Sequence, residues 1–366
     1  MRSEGRPARA RGTLRAAAAG AVIAGIPLAL AAVPALAAAP ASPTTPPTPG
    51  ALPMSYWSSA GLEADESNGL LWGLIWLSIA VTVIIIALVV AGIALRGGRG
   101  RRMATTPVSR SGNGTPLIYV GVGISTLVLI VYTGWTVATM AAISRPPHPA
   151  ALDIDVVGHQ WWWAVRYTNP PGGRPFTTAN EIHIPVGVPV HFNLTTADVI
   201  HSFWVPALGG KTDMVPGRTN HTWLEADRPG VYRGQCSEFC GTEHAEMALR
   251  VVADPPAKFA AWLRDQAADS VPPASELAAS GQQTFVLRCG TCHTVRGTAA
   301  NGIAGPDLSH LMSRTTLAAG MIANTPANIG GWIADPGGIK PGVLMPALPL
   351  SGPELNAVTA YLATLD

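Results

Sequence analysis

Two long apolar runs set the frame for this chain. Leu70–Leu95 and Leu117–Ile143 are each almost uninterrupted and long enough to cross a bilayer. Between them lie Arg96, Arg99, Arg101, Arg102 and Arg110, with no acidic residue. A buried core helix pair has no use for so many apolar residues, and positive loops stay cytoplasmic. The sequence therefore predicts a transmembrane hairpin with both outer ends outside.

The composition agrees: 48% hydrophobic residues, 13% charged and a mean hydropathy of +0.27 over 366 residues lean toward a membrane protein. The N-terminus reads as a secretory signal, with a basic stretch from Arg2 to Arg15, an Ala-rich apolar run and an A-x-A site at Ala35-Leu36-Ala37. Pro27 and Pro34 inside that run weaken the alternative of a retained anchor helix. The formal charge of +2 hides an asymmetry. Residues 1–37 carry five Arg and one Glu, the loop between the apolar runs carries five more Arg, and the remainder is acidic, about −7. An acidic outer part argues against nucleic acid and suits a cationic protein partner.

The predicted organisation is a signal peptide at 1–37, a Pro/Thr-rich linker at 38–65, a transmembrane hairpin at 66–146 and two external domains at 147–268 and 269–366. In the first external domain EIHIP, VPVHFNLTT, RTNHTWLEA, GVYRGQC and MALRVVA alternate with period two between Pro, Gly and Asp turns, the habit of an antiparallel β-sandwich or barrel. Residues 256–268 read as a short amphipathic helix. Beyond Val271-Pro272-Pro273 the periodicity is helical, down to a closing helix at Pro353–Leu365.

All four cysteines fall in two close pairs, Cys236/Cys240 and Cys289/Cys292. Two disulfides are the simplest reading for an exported chain, but each pair sits among further metal ligands at matching spacing. C-S-E-F-C-G-T-E-H-A-E-M supplies Cys236, Cys240, His244 and Met247, and D-V-I-H-S-F supplies His201. Thiolates, imidazoles and a thioether select copper over magnesium, calcium or manganese, and two Cys on one loop can bridge two copper ions. Zinc would accept Cys₂His₂ but leaves Met247 without a role. His183, His191 and His221 lie in predicted strands without Cys or Met at ligand spacing, and read as ordinary surface or core histidines.

With these motifs residues 66–264 resemble cytochrome c oxidase subunit II, a transmembrane hairpin followed by a cupredoxin-like Greek-key sandwich bearing a dinuclear CuA centre. The resemblance implies His201, Cys236, Cys240, His244 and Met247 as side-chain ligands and the backbone carbonyl of Glu238 as the sixth. It further implies that the Glu238 side chain reaches a magnesium ion shared with subunit I. G-H-Q-W-W-W-A at 158–164 and G-K-T-D-M-V-P-G-R at 210–218 also match. The first implies Trp161 as the electron entry point above the copper, although three Trp on a strand also serve packing and at most two can share a face. Asp198 and Asp213 resemble acids that dock cytochrome c. The sequence departs from the family at N-G-T-P-L-I-Y-V, where the second transmembrane helix commonly starts with a Glu that feeds a proton channel of subunit I.

C-G-T-C-H at 289–293 is the signature of covalent haem c attachment, with Cys289 and Cys292 forming thioethers and His293 supplying an axial nitrogen. G-P-D-L at 305–308 resembles the loop whose proline carbonyl, here Pro306, receives the axial His N–H. W-I-A-D-P-G-G-I-K-P-G-V-L-M-P at 332–346 matches the distal loop of class I cytochromes c, which makes Met345 the sixth ligand ahead of Met312 and Met321. Leu355, Val358 and Leu362 of the closing helix would pack on Phe285.

The expected molecule is thus a multidomain membrane protein: a two-helix transmembrane hairpin, an all-β cupredoxin-like sandwich and an all-α class I cytochrome c domain. The expected function is the electron-input subunit of a caa-type, proton-translocating cytochrome c oxidase in a bacterial cell membrane. A cytochrome c or an upstream reductase supplies electrons, and oxygen is reduced to water in subunit I. A quinol-oxidase subunit would lack the copper ligands, and a copper-handling protein would need no haem. Nitrous oxide reductase would require a large His-rich domain that this chain does not offer.

Overall fold

The computed structural model describes residues 54–97 and 115–366. The signal peptide, most of the linker, the loop arginines from Arg99 to Arg110 and the segment of the expected proton-channel Glu through Gly114 lie outside these residues.

Two long helices come first, α1 at Leu62–Gly97 and α2 at Thr115–Ile143. Both are apolar and lipid-ready on nearly every face: Ile85, Leu88, Leu117 and Leu129 all stand exposed. They pack where Gly73 lets the Trp135 ring close on the α1 backbone, a ring that a Cβ would meet at 2.6 Å. Tyr132 Oη donates to the Leu70 carbonyl at 2.6 Å. α1 starts earlier than the apolar run predicts. Glu63 and Asp65 occupy its first turn, where the helix dipole favours acids, and the turn is tied to the external domain. Ala60 N–H donates to Ala207 O at 2.7 Å, and Gly210 N–H donates to Glu63 Oε1 at 3.3 Å. The outer end of α2 is held by Trp223, whose Nε1–H donates to Ile143 O at 2.9 Å.

The β-domain is a sandwich of two five-stranded sheets. One runs β3 (Phe176–Ala179), β2 (Trp162–Tyr167), β1 (Leu152–His159), β5 (Val190–Thr196), β8 (Asn220–Leu224). The other runs β4 (Glu181–Pro185), β10 (Ala248–Asp254), β9 (Gly230–Cys236), β6 (His201–Trp204), β7 (Thr212–Met214). The period-two segments become strands as expected, but the sandwich is not wholly antiparallel. β1 pairs parallel with β5 and β10 parallel with β4, because the chain crosses between sheets after β3 and again after β4. Alternation along β1 sends Leu152, Ile154 and Val156 inward to Trp163, Tyr167, Phe192 and Phe203. Helix α3 (Pro256–Ala267) closes one edge with Phe259 and Leu263.

The last domain is helical: α4 (Glu276–Arg288), α5 (Pro326–Ala334), the single turn α6 (Pro336–Ile339) and α7 (Gly352–Leu362), with a small hairpin β11 (Thr316–Leu317) and β12 (Ile322–Ala323). Ser275 caps α4 through Ala278 N–H, and Ser351 with Glu354 forms a reciprocal capping box on α7. α4 and α7 cross at Gly281, where a Cβ would fall 1.9 Å from the Ala357 carbonyl oxygen. Phe285 packs there with Val358, Tyr361 and Leu362, as the apolar spacing of the closing helix predicts.

The two external domains touch through polar contacts. Ala248 N–H donates to Ala319 O at 3.0 Å. Thr315 gives both its N–H and Oγ1–H to Glu181 Oε2, at 3.1 and 2.6 Å, and receives Arg250 Nη1–H at 2.8 Å. Arg296 spans the junction, donating to Thr177 O at 3.4 Å and to Asp307 Oδ2 at 3.2 Å.

Candidate copper centre and haem pocket

At one end of the sandwich the loop after β9 folds back beside β6. Cys236 and Cys240 are buried free thiols with sulfurs 3.8 Å apart. His201 Nδ1 lies 3.8 Å from Cys236 Sγ, and His244 Nδ1 lies 3.7 Å from Cys240 Sγ. Met247 Sδ is 3.9 Å from Cys240 Sγ, and the Glu238 carbonyl oxygen is 3.2 Å from Cys236 Sγ. The structure thus brings together all six groups that the sequence nominates. Two thiolates, two imidazoles, a thioether and a carbonyl around one small volume are a soft donor set that suits copper. The two thiols share one proton across their 3.8 Å contact, and with the His201 ring beside it this holds the Cys236 thiol low. The same shared proton, together with burial, holds Cys240 high.

His201 is fully buried and its ring is fixed from behind. His201 Nε2–H donates to Asp198 Oδ1 at 2.8 Å, which leaves Nδ1 facing the sulfurs. Gly158 makes room for that ring, since a Cβ there would lie 2.8 Å from it. Asp198 also accepts Gln160 N–H and Val199 N–H, each at 2.7 Å. Burial opposes its charge, but the His201 bond and these amides hold its carboxyl below the ordinary range. Asp198 thus supports a candidate ligand, a contact that sequence spacing did not reveal, while Asp213 is exposed on β7. The Glu238 carboxylate is half-buried and takes no protein hydrogen bond among the described residues.

The three consecutive tryptophans do not share one strand, contrary to expectation. β1 ends at His159 and β2 begins at Trp162, so Trp161 sits in the turn between them. Trp163 is fully buried in the core and Trp162 stacks on His159 at 4.4 Å. Trp161, freed from strand alternation, is buried against the cysteine loop. Its Nε1–H donates to the Cys240 carbonyl at 3.0 Å, and Gln160 Nε2–H donates to the same oxygen at 2.8 Å. His183, His191 and His221 lie on β4, β5 and β8, away from the sulfurs.

Trp161, with Asp198 and other residues of the β-domain, also lines a cavity of ≈ 390 Å³ shared with the helical domain, which contributes Phe285, Cys289, Cys292, His293 and Met345. Neither Met312 nor Met321 lines it. Cys289 and Cys292 follow α4 directly as free thiols, and burial pushes Cys289 up to about 11. His293 Nδ1–H donates to the Pro306 carbonyl at 2.9 Å, the bond the sequence predicts, so Nε2 is the nitrogen left for a ligand bond. Gly305 leaves space for that imidazole, where a Cβ would lie 2.6 Å away. Burial pushes the His293 pKa down, the direction that favours the neutral imidazole an axial ligand needs. A mostly apolar pocket with two thiols, a neutral imidazole and a thioether fits a covalently held haem.

Lys340 joins the two sites, and sequence reasoning did not single it out. It ends α6, is 1% exposed, and its Nζ donates to Trp161 O at 2.9 Å, Glu246 O at 2.6 Å and Ala318 O at 3.4 Å. Burial draws its ammonium down to about 8 against the fields of Glu243, Glu246 and Cys240. The only sequence signal was its place in the I-K-P-G-V-L-M loop, five residues before Met345.

Residues 172–254 match the family described as cytochrome c oxidase subunit II, periplasmic domain, and residues 278–366 match cytochrome c. Cytochrome c oxidase subunit 2 of Alkalihalophilus pseudofirmus is 41% identical over 245 residues, which are 65% of this chain and 70% of that protein. The subunit 2 of Bacillus sp. (strain PS3) is 32% identical over 224 residues, 58% of this chain and 62% of that one. Among solved structures, the periplasmic domain of subunit II from Bradyrhizobium japonicum is 37% identical, covering 32% of this chain and 93% of that one with a TM-score of 0.30. The first family carries copper and the second carries haem, in agreement with the two donor sets. The chain belongs to the cytochrome c oxidase subunit II family, as a membrane protein with an external domain and a cytochrome c domain fused beyond it.

Proposed function

We propose that this subunit takes electrons from a cytochrome c-type donor or an upstream reductase through its own haem c and delivers them, through a dinuclear CuA centre, to haem a of subunit I. When bound, the two groups supply the one-electron couples of the relay, while oxygen reduction to water and proton translocation belong to subunit I. His201, Cys236, Cys240, His244, Met247 and the Glu238 carbonyl would hold the copper. Cys289 and Cys292 would hold one haem covalently, with His293 and Met345 on its axis. Asp198 fixes the His201 ring and Pro306 fixes the His293 ring. Trp161 is the residue through which electrons enter the copper site. Asp198 and Asp213 contribute acidic charge for docking a cationic donor, and the Glu238 carboxylate would help hold a magnesium ion shared with subunit I. Both cofactor domains belong on the outer, periplasmic face of a bacterial cell membrane, since the arginine loop favours the inner side.

One observation carries this reading: Trp161 is hydrogen-bonded to the Cys240 carbonyl and also lines the pocket of Cys289, Cys292, His293 and Met345. Stopped-flow reduction of the purified complex by a small cytochrome donor tests it. The c-type haem absorbance should change first, the near-infrared copper band next and the haem of subunit I last. Copper reduced ahead of haem c would contradict the relay.

A further inference from the structure

Lys340 is a buried cation held entirely by neutral oxygens. An ammonium has three N–H donors and no acceptor. Here they meet three carbonyls from three separate segments: Trp161 in the β1–β2 turn, Glu246 in the turn before Met247, and Ala318 in the cytochrome domain's own hairpin. Ala318 and Ala319 both have positive φ, 53° and 57°, which turns the Ala318 carbonyl inward and leaves the Ala319 carbonyl to receive Ala248 N–H across the domain boundary. Two residues after Lys340, Gly342 has φ of +89°, and a Cβ there would stand 3.6 Å from Thr242 and 3.9 Å from Trp161. The loop that carries Met345 therefore lies directly on the cysteine loop and on Trp161, and among the described residues Lys340 is its one charged tie to both.

We infer that Lys340 is a positioning residue for electron transfer inside this subunit: it pins the Met345 loop of the cytochrome domain onto Trp161 and the cysteine loop of the copper domain. The inference rests on the relay proposed above. No other side chain serves equally well at this point. An apolar residue leaves three buried carbonyls without a donor. An arginine brings a wide planar fork to a site shaped for three converging bonds to one nitrogen. Lys340 lines the cavity of Cys289, Cys292, His293 and Met345, but its ammonium bonds only backbone carbonyls and none of the ligand side chains, so its action is on the geometry between the two sites.

The test is Lys340→Met in the assembled oxidase, with Lys340→Gln as the second variant. Copper content, covalent haem and the Met–haem charge-transfer band should match the wild type, as should the rate at which an external donor reduces the haem. The first-order rate from haem to copper should fall by about tenfold or more, the penalty expected for unpaired buried carbonyls that loosen the docked state. Hydrogen exchange gives a readout independent of electron transfer. The Ala248 amide, which bonds Ala319 O across the boundary, should exchange about tenfold faster in both variants. An unchanged haem-to-copper rate with unchanged Ala248 protection overturns the proposal. Loss of haem or copper from both variants also overturns it, since Lys340 would then be a folding residue. If the wild type itself reduces copper before haem, the relay reading fails instead, and Ala248 protection still decides whether Lys340 pins the loop.

Discussion

The Trp161 indole donates its Nε1–H to the carbonyl oxygen of Cys240 at 3.0 Å. Gln160 donates to the same oxygen at 2.8 Å. A candidate copper-bridging cysteine is thus joined by a single hydrogen bond to an aromatic ring that also lines the pocket of Cys289, Cys292, His293 and Met345.

Trp161→Phe keeps most of the ring and removes the N–H. Gln160 still pairs the Cys240 carbonyl, so the stability cost should be modest, about 0.5–1.5 kcal/mol. The effect should appear instead as slower haem-to-copper transfer with unchanged donor-to-haem transfer, measured by stopped-flow. Equal slowing of both steps would remove Trp161 from its assigned place.

Asp198→Asn leaves His201 in place but replaces the carboxylate that orients its ring. Outer partners of this kind typically change metal affinity by roughly 10–100-fold. Competition with a copper chelator should show a loss in that range, with haem content unaffected. Retention of wild-type copper affinity would mean that the Asp198 bond is incidental.

His183 supplies a pH dependence. It is buried between Asp254 Oδ2, 2.7 Å from Nδ1, and Glu181 Oε1, 3.3 Å from Nε2, with Lys258 on the other Asp254 oxygen at 2.8 Å. Burial opposes a charge on this ring, but the bonds to Asp254 and Glu181 outweigh it and raise the pKa. The stabilisation is therefore complete below the ordinary histidine value of about 6.5 and fades as pH rises through the higher folded value. His183→Gln should lower stability by about 1.5–3 kcal/mol at pH 6, the scale of a hydrogen bond to a charged group. The gap from wild type should narrow in alkaline buffer. Denaturant unfolding across pH measures it, and a gap that widens with pH would contradict the assignment.

Gly281→Val tests the helix crossing under the haem pocket. The added Cβ would start 1.9 Å from the Ala357 carbonyl oxygen, backbone that cannot swing away. Overpacking of this kind costs about 1–3 kcal/mol. The cytochrome domain should lose thermal stability and covalent haem, while copper content stays at the wild-type level. Normal haem attachment and melting would show that the two helices separate more easily than their packing implies.

Much of this was legible in the sequence because the relevant spacing is short. Cys236, Cys240, His244 and Met247 share one loop, and Cys289 to His293 are contiguous, so the chain itself holds the donors near one another. Apolar length alone announced α1 and α2. The beginning of α1 was hidden because Glu63, Asp65 and Glu66 look like linker residues until the dipole of the first turn and the loop at Ala207–Gly210 are in view. Three tryptophans in a row suggested one strand, yet a hairpin turn at Gln160-Trp161 releases the first of them from alternation. Parallel pairing of β1 with β5 depends on crossovers that period-two patterning does not encode. Lys340 lies 179 residues from Trp161 in sequence, and only the folded chain brings a distal cytochrome loop to a copper-domain turn.

In the proposed relay, electrons pass within this one chain from the cytochrome pocket to the cysteine loop. Flash photoreduction of haem c in the isolated oxidase, followed by the copper absorption, tests it most directly. Haem reoxidation and copper reduction should share one first-order rate constant, independent of protein concentration. A rate that rises in proportion to concentration, or a haem that stays reduced while copper remains oxidised, would contradict it.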